Sequence, residues 1–148
     1  MKPKCAISAC LLGNRCRYDG TSNYDPKLIG KLKEYELIPF CPEDFCFGTP
    51  RPTMDLVKNN NEIKAISNLT GANLTPPIKE YANAFFDTHK DIKLFIGKDR
   101  SPSCGVRSAK LYNKDKELIN SNSSGLMAKE AIKRGIKAFD AEEFLEKF

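Results

Sequence analysis

Residues 92–105 read Ile92-Lys93-Leu94-Phe95-Ile96-Gly97-Lys98-Asp99-Arg100-Ser101-Pro102-Ser103-Cys104-Gly105. The apolar run Ile92–Ile96 has the length of a strand and is too short for a stable helix. It runs into a polar, Ser/Pro/Gly-containing loop that carries a cysteine. The same arrangement occurs twice earlier: Cys5-Ala6-Ile7-Ser8-Ala9 ends at Cys10, and Leu37-Ile38-Pro39-Phe40 ends at Cys41. A fourth short strand is predicted over Ile136–Phe139.

Helical patterns separate these strands. Asp25 is predicted to cap a helix with Pro26 in its first turn, where a missing N–H costs nothing, followed by Leu28, Ile29, Leu32 and Tyr35 at helical spacing. Thr75 is read as the cap of a helix opening with Pro76 and Pro77, with Ile78, Tyr81, Ala82, Phe85 and Phe86 on its apolar face. Ser123 or Ser124 is read as the cap of a helix carrying Leu126, Met127 and Ile132 and ended by Gly135, and Asp140 as the cap of a last helix with Phe144 and Leu145. Met54–Ile66 reads as a hairpin turning at Asn59-Asn60-Asn61, and a second small hairpin falls near Leu111 and Leu118. The stretch 41–52, with three prolines and a glycine, is predicted to be irregular. Strands alternating with helices imply an α/β fold: one Rossmann-like domain over 1–148, with a mostly parallel sheet flanked by helices and small hairpin excursions.

Composition narrows the function classes. The 148 residues are 41% hydrophobic and 29% charged, and a chain of this size buries roughly 70% of its unfolded surface, so it needs no disulfide staples. No apolar run approaches the roughly 18 residues of a membrane helix, so no membrane partner is expected. Ile7-Ser8-Ala9-Cys10 resembles a lipid-attachment box, but the residues before it are too few for a secretory signal. The expected location is therefore cytoplasmic, a reducing compartment where cysteines serve as ligands or catalysts more often than as disulfides. The net charge of +5 permits RNA, yet no aromatic-basic platform points to tRNA.

In an open parallel sheet, ligands bind beyond the carboxyl ends of the strands. Cys10, Cys41 and Cys104 are all predicted at that edge. Thiolates suit soft metals and iron–sulfur clusters. The single histidine, His89, rules out a zinc site built on several imidazoles, and the spacings around Cys5, Cys10, Cys16, Cys41 and Cys46 match no paired structural-zinc pattern. Spacing alone leaves a three-cysteine cluster, a zinc site and a thiol nucleophile all open, with Cys16 and Cys46 as alternatives for a fourth ligand. Segments 10–20, 41–52 and 99–107 hold five of the six arginines, the residue suited to fixed contacts with anions. Glu43, two residues from Cys41, is a candidate acid/base, and Ser101 and Ser103 are candidate hydrogen-bonding residues. Tyr18, Phe45 and Phe47 offer flat faces for a ring, and Arg17 and Asp19 are read as a loop-fixing pair.

Five motifs occur in order: Ser8-Ala9-Cys10-Leu11-Leu12-Gly13, Cys16-Arg17-Tyr18-Asp19-Gly20, Cys41-Pro42-Glu43, Thr49-Pro50-Arg51-Pro52 and Ser101-Pro102-Ser103-Cys104-Gly105. The set closely resembles the TudS-like thiouracil desulfidase family, over residues 5 to about 140. The resemblance implies a non-redox enzyme with a [4Fe-4S] cluster on three cysteines, here Cys10, Cys41 and Cys104, whose fourth iron binds the sulfur of a thiolated pyrimidine. It further implies that water attacks the ring carbon to give uracil and sulfide. Glu43 and Ser101 are the implied catalytic residues, with Ser103, Arg17 and Tyr18 toward the substrate. A cluster or sulfide carrier without turnover is the alternative reading. Where the family is usually Gly-Gly-rich, this chain has Asp44-Phe45-Cys46-Phe47-Gly48, a departure expected to reshape the pocket wall and to bring an extra thiol near it.

Overall fold

A computed structural model describes residues 2–148. Its central sheet consists of β1 (Lys4–Ser8), β2 (Glu36–Phe40), β5 (Ile92–Gly97) and β8 (Lys137–Asp140), in the order β2-β1-β5-β8 and parallel throughout. Alternate residues of β1 bury on opposite faces. Cys5 and Ile7 pack with Leu28 and Leu32 of α1 (Pro26–Lys31) and Phe144 of α5 (Ala141–Lys147). Ala6 points the other way, into a cluster with Phe86 of α3 (Thr75–Thr88) and Met127 of α4 (Leu126–Lys133). With both faces covered by helices, the strands are apolar almost throughout, as a parallel sheet requires.

The two expected hairpins are present but are not separate excursions. β3 (Met54–Asn59) with β4 (Glu62–Ser67), and β6 (Ala109–Asn113) with β7 (Leu118–Ser123), join through parallel pairing of Leu56 with Leu111. The result is a second sheet, ordered β4-β3-β6-β7. Met54, Leu56, Ala65, Ala109 and Leu111 of this sheet bury against Ile78 and Leu126 at the starts of α3 and α4.

Several local expectations change. Residues 42–47 form a helix, α2 (Pro42–Phe47), because Pro42 occupies the first turn and Pro50 and Pro52 lie beyond its end at Gly48. Thr75 is the first residue of α3, and its hydroxyl accepts from the N–H of Ala65 at 2.8 Å instead of capping. α4 starts after Gly125 with no serine cap: Ser124 donates to the Val106 carbonyl, and Ser123 to the side chain of Asn120. Ile132 is exposed, and the buried face of α4 is Leu126, Met127, Ala128 and Ala131. The Asp25 cap forms as expected, accepting from Leu28 N at 3.0 Å.

The unpaired N–H groups that begin α4 are satisfied by the cysteine loop itself. Leu126 N donates to Pro102 O at 3.0 Å, and Met127 N to Ser103 O at 2.8 Å. Two glycines permit this approach: a Cβ on Gly97 would lie 1.8 Å from Cys104 O, and one on Gly125 would lie 2.5 Å from the Ser103 carbonyl carbon. The far end of the loop is held by Asp140, which is 4% exposed and accepts from Val106 N at 2.7 Å, Arg107 N at 2.9 Å and Ser108 Oγ at 2.8 Å. Asp140→Ala strands two of those N–H donors without an acceptor and is expected to cost about 2–4 kcal/mol, read as a lowered midpoint of urea unfolding.

Candidate active site

β1, β2 and β5 end on the same edge of the central sheet, and a cavity of about 430 Å³ lies beyond it. Cys10, Cys16, Cys41 and Cys104 all border that cavity. Cys10 sits in a short 3-10 turn, Ala9–Leu12, directly after β1. Cys41 caps α2 directly after β2, its N–H donating to Tyr81 Oη at 3.2 Å. Cys104 lies in the loop after β5 and is 6% exposed. Cys16 is drawn in by its backbone: its carbonyl accepts from Arg51 Nη2 at 2.9 Å.

The thiols are electrostatically linked. Interaction with Cys16 pulls the pKa of Cys10 and Cys41 down and pushes that of Cys16 up. Cys10 falls to about 7, helped by the Asn23 side-chain amide 3.9 Å from its sulfur. Burial pushes Cys104 well above the usual thiol value. A single ion needs donors about 2.0–2.3 Å away. Among the described residues, no three His, Cys, Asp or Glu side chains converge in that way. Four soft thiols around a wider space, with Arg17, Arg51 and Lys98 also bordering it, form a donor set that fits a polynuclear iron–sulfur group.

Glu43 borders the same cavity, held from both sides. Its Oε2 accepts from Ser103 Oγ at 2.9 Å, and its Oε1 lies 3.5 Å from Arg51 Nε. Ser103 is fully buried and does not border the cavity, so its hydroxyl serves Glu43 and is not presented to a substrate there. Ser101 does border it; its oxygen accepts from Ser103 N at 3.2 Å and Cys104 N at 3.0 Å, which leaves its own proton free to donate. Arg17 and Tyr18 stand at the wall, the guanidinium 5.6 Å from the ring centroid. Arg17 and Asp19 do not pair directly; both bind Thr21.

Other expected residues lie elsewhere. Phe45 is 78% exposed against Tyr81, Phe47 packs on the second sheet, and neither borders the cavity. Cys46 donates to Pro77 O at 3.4 Å, and neither it nor the rest of residues 44–48 borders the cavity. Of the five clustered arginines, Arg17, Arg51 and Arg100 border the cavity, while Arg107 pairs with Glu143. Asn23 and Asp99 were not singled out by the sequence, and both border the cavity. Asn23 carries no motif of its own; Asp99 was legible only as a carboxylate five residues before Cys104.

A profile of the 2-thiouracil desulfurase family matches residues 5–143. The uncharacterized protein YbbK of Bacillus subtilis (strain 168) is 28% identical over 150 residues, spanning 94% of this chain and 98% of that relative. The solved structure of a [4Fe-4S]-dependent thiouracil desulfidase, TudS, superposes with a TM-score of 0.74 at 27% identity, over 98% of this chain and 95% of that one.

Asp99 gives the site a pH signature. Burial pushes its carboxyl up to about 6, against about 3.9 for an unfolded aspartate. The folded state thus holds this proton more tightly, and the stability it contributes is present below about pH 4 and lost as pH rises through about 6. Asp99→Asn keeps an acceptor for the Glu142 N–H and removes the buried charge. The variant is expected to be more stable than the wild type at about pH 7–8 and no more stable at about pH 4, in urea titrations across that range.

Proposed function

The chain belongs to the 2-thiouracil desulfurase family, and from that membership we propose that it is an iron–sulfur-dependent desulfidase of thiouracil or a related thiolated pyrimidine. One observation carries the reading: thiols from three distant loops border a single cavity together with the carboxylate of Glu43. The likeness to a [4Fe-4S]-dependent thiouracil desulfidase supports the cofactor.

In this proposal Cys10, Cys41 and Cys104 hold the [4Fe-4S] cluster. When bound there, it supplies an iron without a protein ligand, a soft Lewis acid toward the sulfur of a thiocarbonyl. The chain's own residues do the proton work. Glu43 accepts a proton from the water that attacks the ring carbon and returns it to a ring nitrogen, a contribution of about 10²–10⁴ in rate. Ser103 is a positioning residue, fixing the Glu43 carboxylate through Oε2. Ser101 directs its free O–H at the substrate. Tyr18, with Arg17 beside it, offers a face for the flat ring. Thiouracil and water give uracil and sulfide, with no net transfer of electrons. The Coulomb field of Arg17, Arg51 and Lys98 offsets the charge gathered by thiolates in a partly dry cavity.

The test is anaerobic reconstitution, followed by iron and sulfide assay, the absorption of thiouracil, and chromatography of uracil. The wild type is expected to bind iron and convert thiouracil to uracil. Cys10→Ala, Cys41→Ala and Cys104→Ala are each expected to lose iron, while Glu43→Ala keeps iron and loses turnover by about 10²–10⁴. Iron bound without turnover points to a carrier, and zinc bound without iron to a structural metal site; either outcome refutes the enzyme.

A further inference from the structure

Arg51 has a donor that its surroundings leave unused. Its side chain is 6% exposed, and two of its guanidinium nitrogens are committed: Nη1 donates to Gly48 O at 3.2 Å and to Thr49 Oγ1 at 2.9 Å, and Nη2 donates to Cys16 O at 2.9 Å. Nε is, among the described residues, the one buried side-chain nitrogen or oxygen with no hydrogen-bond partner. Its nearest acidic oxygen, Glu43 Oε1 at 3.5 Å, is close enough for charge attraction and too far for a hydrogen bond. A buried unmade bond on a charged group is costly, and such groups in native structures call for an explanation. Arg51 and Glu43 border the same cavity.

We infer that Arg51 Nε–H is the donor reserved for the oxygen that enters the product, so that Arg51 is a catalytic residue beside Glu43. This rests on the desulfidase reading above. A water that gives its proton to Glu43 Oε1 presents its oxygen to the neighbouring Nε–H. As the C–O bond forms, the water proton passes to Glu43 and negative charge grows on the ring. Glu43 returns that proton to the ring nitrogen, the C–S bond breaks with its electron pair on sulfur, and the second water proton leaves the oxygen with the sulfide, so that a C=O bond replaces the C–S bond. The guanidinium keeps its proton throughout. Its Nη bonds hold the guanidinium in place as charge develops, the arrangement that makes such donors effective. The donor meets water before the reaction and the new carbonyl oxygen after it. Substrate binding therefore depends on it little, while the transition state and the product depend on it strongly.

Two readouts separate this from a stapling role. Arg51→Lys, with activity counted per bound cluster, is expected to lower kcat about 10²–10³-fold and leave the KM for thiouracil within about threefold. Calorimetric binding of uracil, which needs no turnover, is expected to weaken about tenfold or more. Arg51→Met, which keeps the unbranched stem and carries no N–H at the Nε position, serves where Arg51→Lys fails to fold. Wild-type kcat per cluster, or unchanged uracil affinity, in the Arg51 variant that folds overturns the inference. A wild-type protein that turns over no thiouracil but binds uracil through Arg51 refutes the desulfidase reading and keeps Arg51 as the donor to the pyrimidine oxygen.

Discussion

Thiols from separate loops share one cavity because the strands that deliver them run in the same direction. β1, β2 and β5 are neighbours in the order β2-β1-β5, all parallel, so residues 9–10, 41 and 98–104 emerge at one edge. An antiparallel neighbour would send its following loop to the opposite edge. The constraint reaches into the core: a parallel sheet must be covered on both faces, and β1 accordingly buries Cys5 and Ile7 on one side and Ala6 on the other. The bond from Lys98 N to Ser8 Oγ at 3.0 Å ties the ends of β1 and β5 where their loops diverge.

The loop that carries Cys104 packs Cys104 and Val106 into the core, and the rest of it is ordered by polar bonds and close backbone contact. Its carbonyls take the place of a side-chain cap for α4, and Asp140 secures its C-terminal end while Glu143 accepts from the N–H of Asp140 at 3.3 Å. Strand, loop and helix therefore form one unit, which fits a site whose groups must be held in place before a ligand arrives. Arg51 performs the corresponding task on the other side, drawing the Cys16 carbonyl and the end of α2 together through its two Nη atoms.

The strands were legible because each is an apolar run too short to be a helix, and the cysteines stood out because they follow those runs. The second sheet was not legible as a whole. Each hairpin has its own local turn, but the pairing of Leu56 with Leu111 joins segments far apart in the chain and leaves no local mark. α2 was hidden because proline was read as a breaker regardless of position, although Pro42 stands where a helix tolerates it. The cap of α4 was misassigned to Ser123 or Ser124 because the true acceptors are backbone carbonyls from residues 102 and 103, which no side-chain pattern announces. Within the site, Glu43 was visible from its spacing to Cys41. The division of labour between Ser101, bordering the cavity, and Ser103, buried behind Glu43, depends on how the loop turns.

The segment 44–48 bears on how the site is walled. Once Pro42 starts a helix, Glu43 turns toward the cavity while Phe45 faces solvent and Cys46 meets the start of α3. Helical geometry thereby separates the residue that borders the cavity from the residues that face outward. The Thr49 hydroxyl donates to Asp44, and Arg51 Nη1 donates to Gly48 O and to Thr49 Oγ1, so the chain returns to the cavity at Arg51 whatever side chains face outward between them. The outer surface of α2 is thus separate from the cavity, while the path from Cys41 through Glu43 to Arg51 is set by the helix turn and its closing bonds.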